Sequence, residues 1–208
     1  MIIENGITEI EKGAFSNYYM LEDVVFPDSL EIIGNDVFTR TKIKNLTIPR
    51  SVINLDSGNS FDLIETLEYA QVAPENPKFI SIDGILYTRD MKTLYIFPKN
   101  KNITYFSVPY GVETITVAAF SGTRYVSTLV ISETVRTIGA YFCRYSAVQA
   151  VIIKQRKGKI RISENDLFKG TIYNVTIEYL NRHPESCACN IYNQILISFT
   201  LLSVIILI

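Results

Sequence analysis

One apolar pattern, apolar-x-x-apolar-x-apolar, recurs seven times along this chain, and it constrains the fold more tightly than any other feature. The triplets are Leu21/Val24/Phe26, Ile43/Leu46/Ile48, Ile64/Leu67/Tyr69, Ile103/Phe106/Val108, Val126/Leu129/Ile131, Val148/Val151/Ile153 and Ile172/Val175/Ile177. Their last members lie 22, 21, 39, 23, 22 and 24 residues apart. Alternate residues of a strand point to opposite faces, so the last two members of each triplet mark a short strand with one buried side. No unit of this size buries enough apolar surface alone. Successive units must stack and share a core, which makes the chain a solenoid.

A second landmark keeps the same period: Ala14-Phe15, Val37-Phe38, Ser60-Phe61, Ala119-Phe120, Tyr141-Phe142 and Leu167-Phe168. Pairs of aliphatics precede most of them, namely Ile7/Ile10, Leu30/Ile33, Val52/Leu55, Val112/Ile115 and Val135/Ile138. Pro27, Pro49 and Pro109 stop three of the strands, because proline cannot donate to a ladder; Ala70, Ser132, Lys154 and Glu178 take that place elsewhere. A period in the low twenties with this content is that of a leucine-rich repeat solenoid, mostly β, with short turns or helical turns on its convex side. Each fully buried phenylalanine contributes about 1.5–3 kcal/mol, so the six are expected to form one continuous spine.

The spacing of 39 marks an interruption. Asn76 to Pro98 holds Asp83-Gly84 between two β-prone runs, the strongest short hairpin signal. Arg89 to Lys92 reads as a second turn, leading to a third strand that ends at Pro98. The segment is expected to be a β-meander inserted between coils.

The unit from Ile7 to Ser29, V-x-x-I-x-x-x-A-F-x(5)-L-x-x-V-x-I-P-x-S in consensus, resembles the BspA-like (Treponema-type) leucine-rich repeat. The insert is similar to the N-P-x-F-x-S-x-D-G-x-L-Y segment recurrent in that family. The resemblance covers about residues 1–178. It implies a cell-surface or secreted protein of bacteria or parasitic protists, associated with adhesion, and it supplies no catalytic residue.

Charge narrows the partners. Lys plus Arg number 20 and Asp plus Glu 21, a net charge of −1, so no global field favours nucleic acid. The cluster Lys154, Arg156, Lys157, Lys159 and Arg161 is expected to be a solvated loop. Three cysteines do not make a disulfide framework. Cys143 reads as a small buried filler. His183, Cys187 and Cys189 lack a fourth ligand for structural zinc. No cofactor is expected.

Residues 1–3 read as the end of a strand whose beginning is absent, with no polar cap and no secretory leader visible. A fragment of a longer protein is the favoured reading. No charge follows Glu185, and Ile195 to Ile208 is apolar almost throughout. Residues 191–208 are therefore expected to form an apolar membrane helix, marginal in length for a span. The domain reading is a solenoid over 1–178 with the insert at 73–100, a juxtamembrane linker over 179–190, and the membrane segment.

An enzyme is not expected: His183 is the single histidine, and no Ser/His/Asp or Cys/His arrangement can form in the repeats. Glu22, Asp23, Glu65 and Glu68 read as a solvated face. Outward strand positions pass from charged coils to Ser/Thr/Tyr coils, and Tyr105, Ser107, Ser127, Thr128, Gln149 and Tyr173 form the candidate binding face. Three glycosylation sequons begin at Asn45, Asn102 and Asn174. The expected role is a surface interaction or adhesion module, membrane-tethered at its C-terminus, that meets a protein or glycan on another cell or matrix. The alternatives are a tail-anchored cytosolic scaffold and an incomplete fragment of a surface protein.

Overall fold

The computed structural model describes residues 1–56, 61, 63–156, 158–162 and 176–179. In chain order the strands are β1 (Glu9–Ile10), β2 (Ile32–Ile33), β3 (Asn45–Ile48), β4 (Asn54–Leu55), β5 (Tyr69–Val72), β6 (Phe79–Ile82), β7 (Ile85–Thr88), β8 (Thr93–Ile96), β9 (Tyr105–Ser107), β10 (Thr114–Ile115), β11 (Thr128–Ile131), β12 (Thr137–Ile138), β13 (Ala150–Ile153), β14 (Arg161–Ile162) and β15 (Thr176–Tyr179). The solenoid has two walls. Long strands pair in parallel as β3-β5 and as β9-β11-β13-β15, and short ones as β1-β2-β4 and β8-β10-β12-β14.

Turns stand at 12–17, 35–40, 117–122 and 140–145 as expected, with no helical turn of α type among the described residues, and a wall of short strands stands beside them. The aliphatic pairs do not turn there. Their second members, Ile10, Ile33, Leu55, Ile115 and Ile138, are buried inside two-residue strands, and the β-branched side chains of the four isoleucines suit such a pleated, half-buried surface. Among the described residues there is no α-helix, and no helix long and apolar enough to cross a membrane. The expected C-terminal helix, Leu167-Phe168, and Tyr173 lie outside the described residues.

Two triplets change register. Tyr69 pairs with Asn45, and Val72 with Ile48, so the third coil reads Leu67/Ala70/Val72. Ala70 is buried in the strand and is no stop, while Tyr69 is exposed. In the last coil Ile177 pairs with Val151 and Tyr179 with Ile153. Ile177 is exposed, and Glu178 lies within β15, opposite Ile152.

The meander forms as expected, with a difference at its end. Asp83 and Gly84, both at positive φ (51° and 73°), turn β6 into antiparallel β7, the conformation that a two-residue hairpin turn requires. β7 pairs antiparallel with β8, and β8 pairs in parallel with β10. The third strand is thus both the end of the insert and the first rung of the second short ladder.

The core divides at this point. One cluster runs from Ile10 to Val72 and takes in Phe79, Leu86 and Ile96. The other runs from Ile85 to Ile160. The single continuous spine is therefore two spines. Phe15, Phe38 and Phe61 stack in the first, and Phe97, Phe120 and Phe142 meet in the second. Phe97, read from the sequence only as part of the insert, supplies the ring missing from the long interval.

Four coils return through left-handed residues four apart: Gly13 and Asn17, Asp36 and Arg40, Ala118 and Gly122, Tyr141 and Tyr145. Adjacent coils come very close at Gly139, where a Cβ would lie 2.4 Å from the Val117 backbone nitrogen. Only glycine fits there.

Candidate functional site

The long-strand wall presents its outward residues as columns. Tyr105 lies beside Thr128 and Thr128 beside Ala150; Ser107 lies beside Val130 and Val130 beside Ile152. Just before these strands, the amide N–H of Ser127 donates to the Thr104 carbonyl, and that of Gln149 to the Ser127 carbonyl. The structure thus gathers Tyr105, Ser107, Ser127, Thr128 and Gln149 on one face. Tyr105 and Gln149 are exposed, and the other three are half-buried. The face is less polar than its sequence suggests, since Val130, an outward position, is only 3% exposed.

A concave feature lies at the edge of this face. Where the meander separates the two long-strand sheets, a depression of about 530 Å³ opens, lined by Asn45, Glu68, Tyr69, Asn100, Lys101, Asn102 and Tyr125. Its parts come from four places in the chain. Asn45 and Tyr69 are cross-strand partners on β3 and β5. The hairpin tip packs against Tyr69, because a Cβ on Gly84 would come within 2.4 Å of the Tyr69 ring. The Gly84 carbonyl also accepts a hydrogen bond from the Ala70 N–H at 3.0 Å.

Polar contacts tie the two halves together around this depression. The Asn100 N–H donates to the Leu67 carbonyl at 2.8 Å, and its side-chain amide to Glu68 Oε1 at 3.2 Å. Arg124 pairs with Glu65 at 2.7 Å. Lys101 Nζ donates to the Asp83 carbonyl at 2.7 Å and pairs with its carboxylate at 2.9 Å. Glu65 and Glu68 thus have specific partners, although both are exposed. Glu22 and Asp23 are exposed as expected, and so are Lys154, Arg156, Lys159 and Arg161; Lys157 lies outside the described residues.

One asparagine anchors the base of the meander. Asn76 is fully buried, and its amide donates to the carbonyls of Pro49 and Val52, each at 2.8 Å. Its oxygen accepts from the N–H groups of Lys78 at 2.9 Å and Phe79 at 2.8 Å. At the far turn, Thr88 and then the Lys92 N–H bond to Asp90 and hold its carboxyl below the ordinary range. A hydrogen bond and the charge of Lys92 do the same for Glu113 in the following coil. Burial, reinforced by the Asp83 charge, pushes the Tyr87 phenol upward.

Tyr125, Asn100 and Lys101 were not legible as site residues, because nothing local joins them to Asn45 and Tyr69. Two sequons, Asn45 and Asn102, are exposed and line the depression. Asn174, His183, Cys187 and Cys189 lie outside the described residues. Cys143 is buried, and that burial raises its thiol pKa well above the ordinary value. Among the described residues, no three His, Cys, Asp or Glu side chains gather as metal ligands would.

The model of the BspA type leucine rich repeat region matches residues 1–84 and 91–204, in six copies. No curated protein matches significantly. Solved structures do. A leucine rich cell surface protein from Faecalibacterium prausnitzii superposes with a TM-score of 0.66 at 20% identity, over 88% of this chain and 60% of that one. The pneumococcal vaccine antigen PcpA gives 0.65 at 18%, over 86% and 56%. A leucine-rich repeat protein from Eubacterium ventriosum gives 0.62 at 19%, over 77% and 54%. At such identities the likeness is one of fold, and the chain spans between 54% and 60% of these proteins' lengths.

Proposed function

Because the chain belongs to the BspA-type leucine-rich repeat family, we infer that it is a non-enzymatic interaction module displayed at a cell surface. It meets a protein or glycan on another cell or matrix through the long-strand face, and its apolar C-terminal segment tethers it to the membrane. The observation that carries this reading is the exposed face of Tyr105 and Gln149 beside a polar depression, set on a rigid stack of coils. Repeat solenoids of this kind generally serve as binding surfaces. Two of the similar structures belong to a cell surface protein and a vaccine antigen, which supports display outside the cell.

The topology has a direct assay. The chain is expressed in a eukaryotic cell, and its membrane fraction is treated with an endoglycosidase. A mobility shift that disappears when Asn45, Asn102 and Asn174 are changed to Gln places the repeats in the secretory lumen, as the proposal expects. A membrane-bound chain without a shift, even with a leader attached, favours the tail-anchored cytosolic scaffold.

A further inference from the structure

Resting on the surface-module reading, we propose that the depression between the two halves is a binding site for neutral oligosaccharides. Its lining has the chemistry of such a ligand. Asn45, Asn100 and Asn102 each offer an amide that both donates and accepts, one of the Asn100 donors being taken by Glu68, which matches hydroxyl groups that do the same. The Asn100 amide is already oriented by its bond to Glu68. Tyr125 is 43% exposed and offers a flat apolar face with a polar tip to the C–H face of a sugar ring, while Tyr69, 39% exposed, has one ring face covered by the hairpin tip at Gly84.

The electrostatics select against charged ligands. Lys101 is paired with Asp83, and Arg124 with Glu65. With the Glu68 carboxylate added, the acids around the depression outnumber these two cations three to two, so no net positive charge draws in a sialic acid or a sulfate. The depression, about 530 Å³, is wide open to solvent. The polar rim gives an apolar peptide little to bury against.

The test uses the full chain in mild detergent, made in a bacterial host without N-glycosylation, because a glycan on Asn45 or Asn102 would fill the depression; N-glycans on either residue in the protein from its own cell overturn the proposal. The probe is a printed array of neutral oligosaccharides beside sialylated and sulfated ones. Neutral glycans are expected to bind, with affinity at least tenfold lower for Tyr125→Ala and for Asn102→Asp, each folding as the parent does by thermal melting. Tyr110→Ala, which removes an exposed tyrosine outside the depression, should leave binding unchanged. Binding confined to acidic glycans, or neutral binding that survives both variants, overturns the proposal. A chain that adheres to cells yet binds nothing on the array removes this site and leaves the surface module standing. A chain that binds neither removes both.

Discussion

The two halves of the solenoid build their aromatic spines differently. In the first, Phe15, Phe38 and Phe61 follow one another at 23 residues, and their rings lie nearly parallel, at 15° and 2°. In the second, Phe97 and Phe120 keep that interval and stack at 27°, but Phe142 comes one residue early and meets Phe120 edge-on at 71°. The backbone does not share the irregularity. Its left-handed positions stay 23 apart, Ala118 to Tyr141 and Gly122 to Tyr145. Between each pair of left-handed residues lies the slot that Phe38 and Phe120 fill, and in the later coil that slot holds Cys143. Phe142 sits in the preceding slot, where the other coils have Val37 or Ala119. The coil is thus fixed by its backbone turns, and the side chains exchange places inside it.

The largest expected effect breaks the comparison at its centre. Phe38→Ala removes a ring that touches Phe15, Phe26 and Phe61, and the cavity should cost about 3–5 kcal/mol. Because the two cores are distinct clusters, amide exchange should accelerate in β2 to β5 well before β10 to β13. Phe120→Ala should give the reverse. Equal acceleration in both halves would mean that the division has no energetic meaning.

A smaller effect concerns the joint. Asn76→Ala removes four hydrogen bonds at the base of the meander, a loss of about 3 kcal/mol at the net worth of such bonds. Gln155 does related work in the second half, bonding the carbonyls of Ser132 and Val135 from a half-buried position. Among the described residues its oxygen accepts from no N–H group, and Gln155→Ala should cost about 1 kcal/mol. Denaturant melts of the two variants measure the difference. Equal losses would show that Asn76 is one turn cap among several rather than the meander's anchor.

The period of the chain was legible because each buried strand repeats one pattern against one core. What misled was degeneracy within that pattern. Leu67 satisfies it both as the middle of Ile64/Leu67/Tyr69 and as the start of Leu67/Ala70/Val72. The first has the larger apolar residue, yet the second is real, because the hairpin tip packs over the strand and Tyr69 must face outward to receive Gly84. The short wall was hidden for a different reason: two residues carry no alternation to read. Left-handed turns at Leu63, Ala118 and Tyr141 left no sign either, since none is a residue that favours that conformation. The depression was invisible because it joins Asn45, Asn102 and Tyr125 across an insertion. The binding face was half legible, as its strands were local and its neighbours were not.

The exchange of side chains between slots can itself be reversed, and this carries the smallest expected effect. Changing Phe142→Cys together with Cys143→Phe restores the small-then-large order of Ala119-Phe120 and puts the ring 23 residues after Phe120. The volume of the pair is conserved, and such swaps cost about 1 kcal/mol or less, whereas Phe142→Ala alone should cost about 3–5 kcal/mol. In the double variant the new ring should lie nearly parallel to Phe120, as Phe38 does to Phe61, which a crystal structure would show. If the swap costs as much as the truncation, the slots are not equivalent. The edge-on contact would then be a requirement of that coil, where Tyr141 and Tyr145 flank the pair in left-handed turns, and not one of two interchangeable solutions. A near-neutral swap would locate the repeat in its backbone register, with the phenylalanine column as its commonest filling.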